Sequence, residues 1–124
     1  MNNSSISRVG IILYALVIGF FGVSHFLHSI SMAGMVPSFI PGGVFWVYLT
    51  GAALIAAALS FLTGKKTRLA GILLAIFLLL VVLTIHVPSL IHAPDESASR
   101  FSLTMLVKDT GLAAAALIIA GKGS

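Results

Sequence analysis

LAGILLAIFLLLVVLTIHVPSLI, residues 69–91, runs for 23 residues without a formal charge. As a helix rising about 1.5 Å per residue it would reach ~35 Å, enough to cross the ~30 Å hydrocarbon core of a bilayer. Residues 9–31, 44–63 and 101–121 form three more long apolar runs, and Lys108 and Asp109 are the formal charges inside them. The chain of 124 residues is 59% hydrophobic and 8% charged, with a mean hydropathy of +1.15. An ordinary soluble domain carries about 25% charged residues. These runs predict an all-α fold: an integral membrane four-helix bundle, multi-pass, forming a single domain over 1–124 with helices at about 9–31, 44–63, 69–91 and 101–121. So short a chain leaves no room for a soluble domain, so any reaction is expected inside the bundle, at its mouth or on a partner.

The first run follows Arg8 and has the look of a signal-peptide core, but it continues for ~20 residues and no convincing small-x-small cleavage site follows it, so it is expected to be a retained helix. There is no cysteine, hence no disulfide, thiolate metal site or thiol nucleophile.

Orientation follows from the basic residues. With four spans, the first residues, the GKKTR connection at 64–68 and the last residues share a side carrying Arg8, Lys65, Lys66, Arg68 and Lys122; the other side has Arg100 beside Asp95 and Glu96. Lys/Arg excess marks the cytoplasmic face, which predicts the cytoplasmic (inner) membrane with N- and C-termini on the cytoplasmic side. The net charge of +4 does not read as a nucleic-acid footprint, because the cations flank spans and form no stripe on a soluble face. The expected partner is the lipid bilayer.

Small residues four apart mark close helix packing where no hydrophobic force draws helices together. Ala15 with Gly19, Ala52 with Ala56 and Ser60, and Gly111 with Ala115 fit that pattern. The third span, with LLLVVL at 78–83, is bulky all round and is expected to face lipid or a second copy of the chain. MVPSFIPGG, residues 35–43, holds Pro37 and Pro41 and reads as an extended or re-entrant connection. Trp46 and Tyr48 come next, at the depth of an aromatic belt.

Counting about 1.5 Å per residue inward from the outer ends of the spans, His28 lies at ~5 Å, Tyr48 at ~6 Å, His86 at ~8 Å, His25 at ~9 Å, Lys108 at ~10 Å and Asp109 at ~12 Å. His25 and His28 fall on one helical face with Tyr14, Ile18, Phe21, Gly22 and Ser29. Asp109 lines up with Ser102, Met105, Ala116 and Ala120, a small-residue stripe expected to face the bundle. Lys108 points about 100° away from Asp109 on the same helix, so the two are not expected to pair. Pro88 cannot donate to the carbonyl of Thr84, so the third helix should bend near His86. The outer half thus reads as a shallow polar pocket opening toward residues 37–41.

GVSHF at 22–26, MVPSFIP at 35–41, VYLTGA at 47–52, GKKTRLAGILLA at 64–75 and KDTGLAAAALIIAG at 108–121 resemble the DoxX-like family of small four-helix membrane proteins. The resemblance implies work with quinones, as subunits of quinone-linked oxidoreductases or alongside an oxidoreductase partner; distant animal relatives look like chaperones for receptors. Many members carry a Glu three residues after the second-helix Gly, where this chain has Leu54. Asp109 would then have to supply any intramembrane acid.

Each polar residue also has a plain structural explanation. His25 and His28 would serve as bundle glue, worth about 1 kcal/mol per hydrogen bond; His92 would be solvated at the boundary; Lys108 would snorkel outward. Asp109 is the hardest to explain so, since a lone carboxylate there costs roughly 2.5 to 3.5 kcal/mol and must be protonated or paired. His25, His28, His86 and Asp109 could form a metal site, or imidazoles could hold haem, but H-x-x-H spacing specifies neither, and no metal is assigned. Phosphate loops and nucleophile elbows are absent.

The reading is therefore a bundle whose outer-half pocket takes a small quinone-like or phenolic molecule. His25 and Asp109 would act as the catalytic proton-handling pair, His25 being the expected partner because Gly22 and Ser29 permit close approach. His28, His86, Tyr48 and Lys108 would bind the ligand. No redox centre is encoded by a motif, so a quinone cofactor would act with an oxidoreductase partner. The alternative is a noncatalytic assembly factor, chaperone or stabilising subunit in which these groups only hold the bundle together.

Overall fold

The computed structural model describes residues 2–34, 36 and 41–123, and among them all regular structure is helical. Helices α1 (Asn3–Leu27), α2 (Ser29–Ala33), α3 (Gly43–Thr63) and α4 (Thr67–Val81) are followed by a π-helical turn (Val82–His86), α5 (Val87–Ile91) and α6 (Glu96–Lys122). The α4–π–α5 run is one continuous rod, so the chain has four helices long and apolar enough to cross a membrane: Asn3–Leu27, Gly43–Thr63, Thr67–Ile91 and Glu96–Lys122. That points to a multi-pass membrane protein. Pro37 and most of the expected extended connection lie outside the described residues.

Local chemistry sets the ends. The first helix begins at Asn3, ahead of the apolar run, because the Asn2 side chain accepts the Ser5 N–H at 2.8 Å and caps it. Asp95 caps α6 likewise, accepting from Ala98 N–H at 2.7 Å. Helix α3 ends at Gly64, whose φ of +74° suits a left-handed cap, with the N–H groups of Gly64 and Lys65 both returning to the Ser60 carbonyl.

Helix α1 packs on α3, α4 on α6, and α3 joins the two pairs. At the α1–α3 crossing the backbones nearly touch: a Cβ on Gly22 would lie 3.0 Å from the Gly51 carbonyl oxygen and 2.8 Å from Ile55 Cγ1. Gly71 plays the same part for α4, where a Cβ would come 2.6 Å from the Ala116 carbonyl oxygen. The core is correspondingly small-chained, with Ala15, Ala57, Ala58, Ala75, Ala113 and Ala116 packed around Ile18 and Phe61. The bulky side chains, such as Phe20, Leu27, Leu83 and Ile118, face outward, as expected where the surroundings are lipid tails and packing alone holds helices together.

The expected small-residue seams need correction. Ala15 is buried and Gly19 touches Ala58, but Ala52, Ala56 and Gly111 are exposed, and the seams run through Gly51, Ala57, Ala58, Ala113 and Ala116 instead. In alanine-rich helices a four-residue spacing occurs on several faces at once. Which face turns inward is decided by the bulkier residues beside it, here Leu54 and Phe61.

Arg8, Gly64, Thr67 and Lys122 line one hollow, so the start of α1, the α3–α4 connection and the end of α6 lie at the same end of the bundle.

Candidate functional site

Three ionisable side chains meet between the third and fourth spans. His86 Nε2 lies 2.7 Å from Asp109 Oδ2, and both residues are buried, at 6% exposure each. Lys108 Nζ lies 3.2 Å from the other carboxylate oxygen, Oδ1. Asp109 therefore has a partner on each oxygen, and the three groups form a row from Lys108 through Asp109 to His86.

The fold brings them together for definable reasons. In any α-helix the Cα–Cβ bonds tilt toward the N-terminus. The third span and α6 run in opposite directions, so His86 and Asp109 lean toward each other. The π turn ends at His86, with Val87 N–H returning five residues to the Val82 carbonyl. Each π turn adds a residue to the normal turn and so re-aims the side chains beyond it; Pro88, which has no N–H to give, stands just past that point. This turn is how the rod accommodates the proline. On α6, Ser102, Asp109, Ala116 and Ala120 are all buried and Met105, the remaining member of the stripe that the spacing predicts, is half-buried.

Lys108 departs from the expectation that it would not pair with Asp109. Adjacent Cβ directions do diverge by about 100°, but the four-carbon stem lets the ammonium fold back to its neighbour. The Phe21 ring of α1 holds it there, with Nζ 4.5 Å from the ring centroid in a cation–π contact. The Lys108 side chain stays 31% exposed, which makes it the end of the row that reaches the surface.

His25 is not the residue that meets Asp109. Its Nδ1 donates to the Phe21 carbonyl at 2.6 Å, one turn back in its own helix, and its Cβ faces Gly51 of α3. The close approach that Gly22 permits is used by α3, which leaves the Tyr14 and Phe21 side of α1 to face α6. His28 sits at the break between α1 and α2 and is exposed, so it shares no helical face with His25. Tyr48 accepts a hydrogen bond from Ser29 Oγ at 3.1 Å and stacks on Phe26. Of the six candidate residues the structure brings together Asp109, His86 and Lys108, while His25 and Tyr48 make other contacts and His28 is exposed. Among the described residues no group of three or more His, Asp or Glu comes together as a metal-ligand set.

Two contributors escaped the sequence reading. Tyr14 donates to the Leu112 carbonyl at 2.5 Å, three residues beyond Asp109, and Phe21 carries the Lys108 ammonium. Both lie at helical spacing on one face of α1, the available signal; nothing in that spacing says which helix the face meets.

A hydrogen-bonded imidazole–carboxylate pair can pass a proton between its members, and the ammonium occupies the other carboxylate oxygen. The row thus runs from the buried His86 to the partly exposed Lys108.

Among known proteins, the model of a family described as a domain of unknown function (DUF8561) matches residues 14–120, and the chain belongs to that family. No curated protein and no solved structure matches it. The DoxX-like resemblance is thereby corrected: the matching family is a different one. Short motifs such as GVSHF and VYLTGA draw on the narrow residue alphabet of membrane spans, where similar strings arise without kinship.

Proposed function

We propose that this DUF8561 member is a multi-pass protein of the cytoplasmic membrane, with both termini on the cytoplasmic side, in which Lys108, Asp109 and His86 handle protons for a small lipid-soluble ligand bearing carbonyl or phenolic oxygens, a quinone or a phenol. The orientation is supported by the gathering of Arg8, Lys65, Lys66, Arg68 and Lys122 at the end that holds both termini. The observation that carries the functional reading is Asp109 itself: a buried carboxylate in an apolar bundle, engaged by His86 on one oxygen and Lys108 on the other. Ionisable groups within spans are expensive and mark proton or ligand pathways by default. Lys108 is the partly exposed end, so a ligand arriving from the lipid between α1 and α6 would accept a hydrogen bond from its ammonium. Electron transfer to such a ligand would draw on a partner protein. The test is the thermal stability of the detergent-solubilised protein with a short-chain quinone or a simple phenol. A shift seen in the wild type and lost in Lys108→Gln and Asp109→Asn, both still folded, is the expected result; no shift with any such compound would defeat the ligand reading.

A second reading, a noncatalytic assembly factor or stabilising subunit, is favoured by one observation. Among the described residues no buried side-chain nitrogen or oxygen lacks a hydrogen-bond partner, so the row is complete without a ligand. Asp109→Asn would then lower folded yield, and a second polypeptide would copurify in mild detergent.

A further inference from the structure

The basic end of the bundle is concave. Two adjoining hollows of about 270 Å³ and about 490 Å³ share Arg8, Ile11 and Lys122. Ile119 and Ile11 supply apolar walls, and Thr67 and Ser7 place hydroxyl-bearing side chains at the margin. Arg8 is fixed in this position because its guanidinium donates to the carbonyls of Phe61 and Leu62, the last turn of α3. Five donors belong to a guanidinium, so it keeps N–H groups and its full charge for something else. Among the described residues neither Arg8 nor Lys122 enters an ion pair. All three acidic residues, Asp95, Glu96 and Asp109, belong to the stretch 95–109, remote from this end.

A topology signal alone would explain the charges, since any flanking Lys or Arg serves that purpose. It does not explain a hollow lined by an exposed guanidinium held on two backbone carbonyls, a lysine and two isoleucines. Cationic pockets between spans are how phospholipid headgroups are held, the phosphate on Arg and Lys and the glycerol end on apolar surface. We propose that this hollow binds a phosphate-ester anion, the headgroup of an anionic phospholipid, between Arg8 and Lys122. The site lies at the opposite end of the bundle from Lys108 and His86, and it does not rest on the proton-handling reading.

The test titrates the purified protein in mild detergent with short-chain phosphatidylglycerol, short-chain phosphatidylcholine and inorganic phosphate, monitoring the melting temperature. Three proteins are compared: wild type, Lys122→Gln, and Lys65→Gln, which removes a nearby exposed cation outside the hollow. Phosphatidylglycerol is expected to give a saturable rise that phosphatidylcholine does not. Lys122→Gln should weaken it about fivefold, the effect of one basic residue facing an anionic headgroup, and Lys65→Gln should leave it unchanged. A saturable rise with inorganic phosphate, weakened by Lys122→Gln in the same way, would support the site with free phosphate as its source. Equal responses to the two lipids, or equal weakening by Lys65→Gln, would overturn the proposal.

Discussion

His86 and Asp109 are 23 residues apart in sequence and 2.7 Å apart in space, joined across two antiparallel spans where both are buried. Neither residue is well placed alone. A buried carboxylate at membrane depth needs a donor, and an imidazole there needs an acceptor; each supplies the other's need, and Lys108 takes the remaining carboxylate oxygen.

This arrangement separates two substitutions at one position. Asp109→Asn keeps the shape and an oxygen that can accept from one of the two partners, so the fold should be retained. Asp109→Ala strips both partners of their acceptor and leaves a gap against the α4–α6 seam; it should destabilise by about 1–2 kcal/mol. Thermal unfolding in detergent checks this, with Asn melting above Ala.

The backbone contact between Gly22 and Gly51 gives a second expectation. Gly22→Ala would push a methyl to 2.8 Å from Ile55 and 3.0 Å from the Gly51 carbonyl oxygen, a clash against backbone that α1 and α3 relieve only by moving apart, at about 1–3 kcal/mol. Gly111→Ala meets nothing within 4 Å and should leave the melting temperature unchanged or slightly raised. Similar losses for both would mean that the crossing is not at Gly22.

The spans were legible in the sequence because four apolar runs of about twenty residues have few alternatives, and the inward stripe of α6 was legible because Ser102, Asp109 and Ala116 repeat every seven residues. The partner of Asp109 was not. Helical periodicity places His25 and Phe21 on nearly one face, and only the packed structure shows Gly22 and His25 turned to α3 while Phe21 faces α6. The aim of His86 depends on a π turn, which adds a residue to the usual period and is invisible to a count at 3.6. Small-residue spacing was ambiguous for a similar reason, since Ala52, Ala56, Ala57 and Ala58 offer every face at once. The Lys108–Asp109 contact depends on side-chain length, which a helical wheel ignores.

Orientation in the membrane is open to direct labelling. Single cysteines at Ser97, in the exposed first turn of α6, and at Lys65, in the exposed turn between α3 and α4, report opposite ends of the bundle. In intact cells an impermeant thiol reagent should modify Ser97→Cys and spare Lys65→Cys until the membrane is opened. The reverse pattern would invert the proposed topology and place the basic hollow outside.

The central claim, that His86 and Asp109 act as one unit, is tested most directly by a double-mutant cycle on unfolding free energy with His86→Ala and Asp109→Ala, run beside a second cycle with His25→Ala and Asp109→Ala. A coupling of about 1 kcal/mol is expected for His86 with Asp109, and additivity within about 0.5 kcal/mol for His25 with Asp109. Additivity in the His86 cycle, or the larger coupling in the His25 cycle, would contradict it.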